Sequence, residues 1–326
     1  MSNIPEVATH DVMKEDFGWE VPVESVPVPS QGRVYPKNSP LFQKETLDIR
    51  AMTAKEEDIL SSRPLIQQGK VITRLLQSCL IDKDIDVRDM LVGDRNALMV
   101  SVRVTGYGTR YAAEVGCSEC GARNNQSFNL SDLEIKRLDI APVSPGENLF
   151  EYTLPVTKKK VNFKFLTGRD EEERTIVAER RKKNFPEADV ENNVTARLEQ
   201  VIVSIDGITD RNKLNSFIKN MPAQDSRKLR KYVLEKEPGI DMSAWMKCTS
   251  CHASSKVPLP IGINFFGPPS NFREQVLEEA FLLMHHLNMS YGDVIKLPVT
   301  YRKWFLNRLS EEFKQVNEER KKRSQS

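Results

Sequence analysis

The chain has no apolar run approaching the roughly 20 residues that cross a bilayer as a helix, so the sequence offers no membrane span. Histidine is scarce, four residues in 326, which leaves little material for general acid–base catalysis near neutral pH. Missing as well are a Gly-rich dinucleotide turn, a phosphate loop, an H-E-x-x-H pair and a nucleophile elbow, and no enzyme is expected. Charge of either sign hardly prevails. Lysine and arginine number 48 against 46 for aspartate and glutamate, and a net charge of +2 gives no general attraction to nucleic acid or membrane. No secretory leader opens the sequence, so a reducing compartment without disulfides is expected. What remains, 39 % apolar with 29 % charged residues, suits a globular protein of about two domains.

Cysteine is also rare, but its placement is informative. Four of the five cysteines form two C-x-x-C pairs, Cys117/Cys120 and Cys248/Cys251, each between strand-like runs. A tight turn carrying two thiolates at the tip of a hairpin is half of a tetrahedral zinc site, with Zn–S bonds of about 2.3 Å. A lone pair could be a redox dithiol; two pairs outside any βαβ pattern read as one structural Zn2+ site made by Cys117, Cys120, Cys248 and Cys251. Two separate reduced thiol pairs are the alternative. His252 directly follows Cys251 and could substitute as a ligand, although four cysteines already close the tetrahedron and leave no open position for catalysis. Cys79, in the run Val71 to Leu80, reads as a core residue. If the pairs meet, everything between them is an insertion hung on a metal clamp.

Periodicity and caps give the rest. Residues 1–29 read as a flexible, extended tail: the prolines within Val21 to Pro29 prevent a helix. Ser30 to Pro36 reads as a turn into a short extended piece, and Thr46 to Ala51 alternates like a strand. Thr53-Ala-Lys-Glu56 is a capping box that opens a helix to about Ser62. Further helices are expected at Lys70 to Leu80, Asp86 to Met90 and Asp94 to Tyr107, within a module at 30–108. Hairpins at 109–132 and 241–262 carry the cysteines. The insert at 133–240 is expected to hold a linker to Pro145, a hairpin (Phe150 to Leu154 with Lys160 to Phe165) and four helices. One of these is an amphipathic helix with Val194, Leu198, Val201, Ile202 and Ile205 on its buried stripe.

Residues 263–326 form C-terminal helices. One is capped by Asn271 and puts Phe272, Val276, Ala280, Phe281 and Met284 on one side; Asp293 to Leu297 is a short turn of helix. The last helix starts at Pro298 with Tyr301, Phe305, Leu309 and Phe313 on a stripe. His285 and His286 are adjacent, about 100° apart on a helix, and cannot form an i,i+4 metal pair; they read as surface or interface residues. The expected class is α+β, mostly helical, with a zinc-ribbon-like pair of hairpins clasping a helical insertion. The basic runs at Lys158–Lys160, Arg180–Lys183 and Arg320–Arg323 read as solvated ends.

The order of several short motifs resembles the baseplate hub subunit family of T4-like contractile-tailed bacteriophages, over roughly residues 27–315. The motifs are Pro29-Ser-Gln-Gly-Arg-Val-Tyr-Pro36, Leu47-Asp-Ile-Arg-Ala-Met-Thr53, Glu56-Glu-Asp-Ile-Leu60, Asp94-Arg-Asn-Ala-Leu98 and Gly106-Tyr-Gly108, leading to Cys117-x-x-Cys120-Gly121. After the second cysteine pair come Pro258, Phe265-Phe266-Gly-Pro268, Phe272-Arg-Glu, Leu282-Leu-Met-His285 and Arg302-Lys-Trp-Phe305. The resemblance implies a late phage protein of tail baseplate hub assembly, a structural, chaperone or transient component. Its implied partners are other tail and hub proteins, met in the host cytoplasm during assembly or in the virion baseplate, with no small-molecule substrate. A zinc-ribbon nucleic-acid-binding protein is the alternative. For it the hairpins offer Arg110, Arg123, Lys247 and Lys256 with Tyr111 and Trp245, a thin set for tracking phosphates.

Overall fold

The computed structural model describes residues 9–10, 21–184, 193–267 and 272–324. Its architecture is α+β: helices and five small antiparallel sheets among the described residues. None of the described helices is long and apolar enough to cross a membrane.

The first sheet corrects the reading of a free tail for Val21–Pro27. Val21–Pro27 (β2) pairs antiparallel with Thr46–Arg50 (β3), from Val23 opposite Arg50 to Pro27 opposite Thr46, while Thr9–His10 (β1) joins its other edge. The prolines do exclude a helix. The extended chain then buries Val23, Val26 and Val28 beside Leu47 and Ile49, so apolar burial fixes the segment to its own sheet.

Helices Ala54–Ser61 (α1), Arg63–Gln67 (α2), Val71–Cys79 (α3) and Val92–Tyr107 (α4) follow. α3 buries Val71, Leu75, Leu76 and Cys79, a face at helical spacing. Asp86 to Met90 is a turn, not the expected helix. The Asp86 carboxylate accepts the Arg88 N–H at 2.9 Å, and the Arg88 and Met90 carbonyls accept from Arg169 and Gly168. These bonds tie the turn to Gly168 and Arg169. Two sequence motifs meet at the start of α4. Buried Asp94 accepts the Ser30 N–H at 2.8 Å and the Ser30 hydroxyl at 2.6 Å, and also the Tyr35 hydroxyl. Burial pushes the Asp94 carboxyl up, and these three donors act against that shift.

The cysteine hairpins are Arg110–Gly116 (β4) with Arg123–Asn129 (β5), and Ser243–Lys247 (β11) with Ser254–Pro258 (β12). Between them, Ile135–Lys136 (β6) pairs with Gly239–Ile240 (β10), so the two ends of the insert are tied together. Phe150–Thr153 (β7), Lys160–Phe163 (β8) and Ile202–Ile205 (β9) form a three-stranded sheet. Helices Gly168–Asn184 (α5), Asn193–Val201 (α6), Arg211–Lys219 (α7) and Ala223–Lys236 (α8) complete the insert. The expected amphipathic helix is thus cut short at Val201. Ile202 and Ile205 belong to β9, opposite Phe163 and Val161, where β-branched side chains pack well on a pleated surface. α4 lies so close to β10 that a Cβ on Gly93 would fall 1.7 Å from the Pro238 carbonyl oxygen. Buried side chains from Val26 to Val299 form one continuous apolar cluster.

Phe272–Leu287 (α9), Tyr291–Lys296 (α10) and Val299–Ser324 (α11) end the chain; the expected Asn271 cap lies outside the described residues. Two expected stripes are rotated. α9 buries Val276, Ala280 and Leu283, whereas Phe281 is 59 % exposed and Met284 also faces out. α11 buries Arg302 and Leu309 and leaves Tyr301 and Phe313 exposed. A charge at position 302 hid this face from an apolar pattern. Arg302 is fully buried because it pairs with Glu57 of α1 and with Glu279 of α9, the latter at 2.6 Å, as a buried charge requires. The C-terminal helices thereby dock on α1.

Candidate metal centre

The two cysteine turns are built alike. In the first, the Cys117 N–H donates to the Ala122 carbonyl and the Gly121 N–H to the Cys117 carbonyl, both at 2.9 Å. In the second, Cys248 donates to Ala253 at 2.9 Å and His252 to Cys248 at 3.1 Å. The residue after each pair takes the left-handed conformation, Gly121 at φ +72° and His252 at φ +59°. Glycine does so without strain. His252 instead fills that backbone position, stays exposed and stands outside the sulfur cluster.

The hairpins bring all four predicted cysteines together, with every sulfur within 4.8 Å of the others. Cys117 Sγ lies 3.7 Å from Cys251 Sγ, and Cys120 Sγ lies 3.7 Å from Cys248 Sγ. A disulfide needs about 2.05 Å. A regular tetrahedron with metal–sulfur bonds of about 2.3 Å has edges of about 3.8 Å, so the donor set and its spacing suit a thiophilic divalent ion. Cys117 and Cys248 are buried, and Cys120 and Cys251 face solvent. Electrostatics agree. The Cys251 and Ser250 amides point at the Cys248 sulfur and, with the neighbouring thiols, hold it down to about 6. The Ala253 amide pulls Cys251 the same way, yet the thiols crowded around it push it up to about 12. A cation between them would let four sulfurs this close ionise together.

Asn124 is a residue that spacing alone did not reveal. It sits on β5 and is 2 % exposed. Its Nδ2 donates to the Ala122 carbonyl at 2.8 Å and to Cys248 Sγ at 3.6 Å; its Oδ1 accepts the Thr249 N–H and hydroxyl, each at 2.8 Å. Gln126 Nε2, from the same strand, donates to the Lys247 carbonyl at 3.0 Å. The only sequence signal was a run of amides on a strand beside a cysteine turn. Cys79 is remote from this centre by chemistry and place: buried on α3, its thiol is pushed well up by burial and by the Glu56 charge.

A sequence model for the T4 bacteriophage base plate protein matches residues 28–267. The chain belongs to that family. No curated protein and no solved structure matches it. The matched part of this base plate protein includes both cysteine hairpins and the insert and stops before α9. The family supports a structural tail role. Several of the hairpin residues that a nucleic-acid reading would use are engaged within the fold. Tyr111 is buried with its ring against Phe265 and its hydroxyl on the Pro260 carbonyl. Arg123 pairs with Glu114, and Lys256 with Asp241. Trp245 is exposed. Lys159 and Lys160 at the β7–β8 turn pair with Asp206 and Glu151.

Proposed function

We propose that this base plate protein is a non-enzymatic structural or assembly component of the phage tail hub, with Zn2+ held by Cys117, Cys120, Cys248 and Cys251. The observation that carries the reading is the convergence of four sulfurs from two hairpins, all within 4.8 Å of one another and two pairs at 3.7 Å, inside the region shared with the base plate family. The ion, once bound, supplies a crosslink between hairpins far apart in the chain. It leaves no open position for chemistry.

Other tail proteins are the proposed partners. β2 is committed to its own sheet, so this strand is not a free docking segment. The C-terminal helices are better suited. Leu277, Phe281 and Trp304 are 48 %, 59 % and 60 % exposed, and a chain of ring contacts runs from Phe281 through His285 and His286 to Phe313. Contiguous exposed apolar surface of this kind marks interaction sites. The proposed places of action are the host cytoplasm during assembly and the tail baseplate of the virion. Metal analysis combined with a nuclease-treated pull-down from infected-cell lysate tests the reading. About one zinc per chain and capture of tail hub proteins support it; a metal-free protein that captures none of them refutes it.

A further inference from the structure

The two cysteine turns match closely in their backbone but not in what supports them. Asn124 and Ser255 occupy equivalent places, each seven positions after the first cysteine of its pair. Asn124 reaches across to the opposite hairpin and bonds three groups there: the Cys248 sulfur, the Thr249 N–H and the Thr249 hydroxyl. Ser255 does nothing of the kind; its hydroxyl is buried with no hydrogen-bond partner among the described residues. The orientation of the Asn124 amide is fixed by its surroundings. The Thr249 N–H can only donate and the Ala122 carbonyl can only accept, so Oδ1 faces the first and Nδ2 the second. With Nδ2 so placed, its second hydrogen points at Cys248.

We infer that Asn124 is the positioning residue of the metal centre. It holds the second cysteine turn in its metal-binding shape and donates to the Cys248 thiolate, so the first hairpin is the template on which the second is set. This rests on the proposed metal site. Donors to a ligating sulfur stabilise its charged form, and outer partners of metal ligands are worth about tenfold to a hundredfold in affinity. Asn124 does not touch the metal position itself.

Two substitutions separate the roles of its two ends. Asn124→Asp keeps the acceptor for Thr249 but loses the donor and sets a carboxylate against the Cys248 sulfur. Asn124→Ala loses both ends. Ser255→Ala removes a hydroxyl that supports nothing. Zinc affinity of the full chain is measured by competition with a chromophoric chelator, and the thiolate–metal absorption is read with cobalt in place of zinc. The expected result is affinity about tenfold to a hundredfold weaker in Asn124→Ala, at least as weak in Asn124→Asp, and unchanged in Ser255→Ala, with an altered cobalt spectrum in both Asn124 variants. Asn124→Asp binding as tightly as the unaltered chain overturns the sulfur-donor role, and affinity equal to that of the unaltered chain in both Asn124 variants overturns the inference altogether. Should the unaltered chain bind no zinc or cobalt, the metal reading itself fails, an outcome distinct from either. Circular dichroism of the metal-free proteins identifies a variant that has merely failed to fold; Asn124→Ser, smaller and polar, then replaces it under the same criteria.

Discussion

Cys117 Sγ and Cys251 Sγ lie 3.7 Å apart although they are 134 positions apart in the chain. Only the alignment of two hairpins brings them together, one on each side of an insert whose ends are tied by β6 and β10. The contact is too long for a disulfide and matches an edge of a metal–thiolate tetrahedron. On the proposed reading, it makes the centre a fastening between distant parts of the chain.

Removing the fastening should cost stability. A ligand at about a thousand times its dissociation constant stabilises the folded state by about 4 kcal/mol. Chelation, or either Cys117→Ser or Cys248→Ser, should therefore lower the melting temperature and release zinc. Cys79→Ala should leave zinc content unchanged. Calorimetry with metal analysis reads both, and loss of zinc from Cys79→Ala would contradict the assignment.

The buried ion pairs of Arg302 predict a second effect. Arg302→Ala leaves Glu57 and Glu279 without their cation, and breaking a buried pair costs about 3–5 kcal/mol. Because those partners lie on α1 and α9, the loss should appear first at the C-terminal helices. Limited proteolysis should cut α9 to α11 before the rest of the chain. Uniform proteolysis would show that the pair does not hold this unit in place.

Glu56 gives a pH-dependent test. Burial alone would push its carboxyl up, but the Arg50 guanidinium, bonded at 2.6 Å and 3.1 Å, outweighs this and holds it below the usual range. A lowered folded-state value contributes stability that is present above the unfolded value of about 4.3 and is lost as pH falls through the folded one. Glu56→Gln should cost about 1–3 kcal/mol near neutral pH. The gap from the unaltered protein should close in acid below about pH 4. Denaturant unfolding across pH measures it, and a pH-independent gap would exclude the ion pair as its cause.

Close packing of α4 on β10 predicts that Gly93→Ala costs about 1–3 kcal/mol, since the new Cβ meets the Pro238 carbonyl. Gly116→Ala, at a position with open space, should be near neutral by the same thermal melt. Equal effects would mean that α4 and β10 separate easily.

Much of this was legible in the sequence. The cysteine turns were visible because metal geometry demands their spacing, and the capping box at Thr53 because its chemistry is local; Glu56 indeed accepts the Thr53 N–H at 2.9 Å. What escaped depended on distant partners. Ile202 and Ile205 fit a helical stripe and a strand equally well, and only pairing with β8 decides between them. The valines of β2 among prolines resembled a tail until β3 supplied an edge. Arg302 carries no local sign of burial, because its two carboxylates lie on other helices. Asn124 carries no local mark, since what it supports is on the other hairpin.

The most direct measurement is the metal content of the purified full-length chain and of its Cys248→Ser variant, by elemental analysis. About one zinc per chain in the first and loss of it in the second are predicted. A chain without zinc, or zinc retained when Cys248 is replaced, would contradict the account.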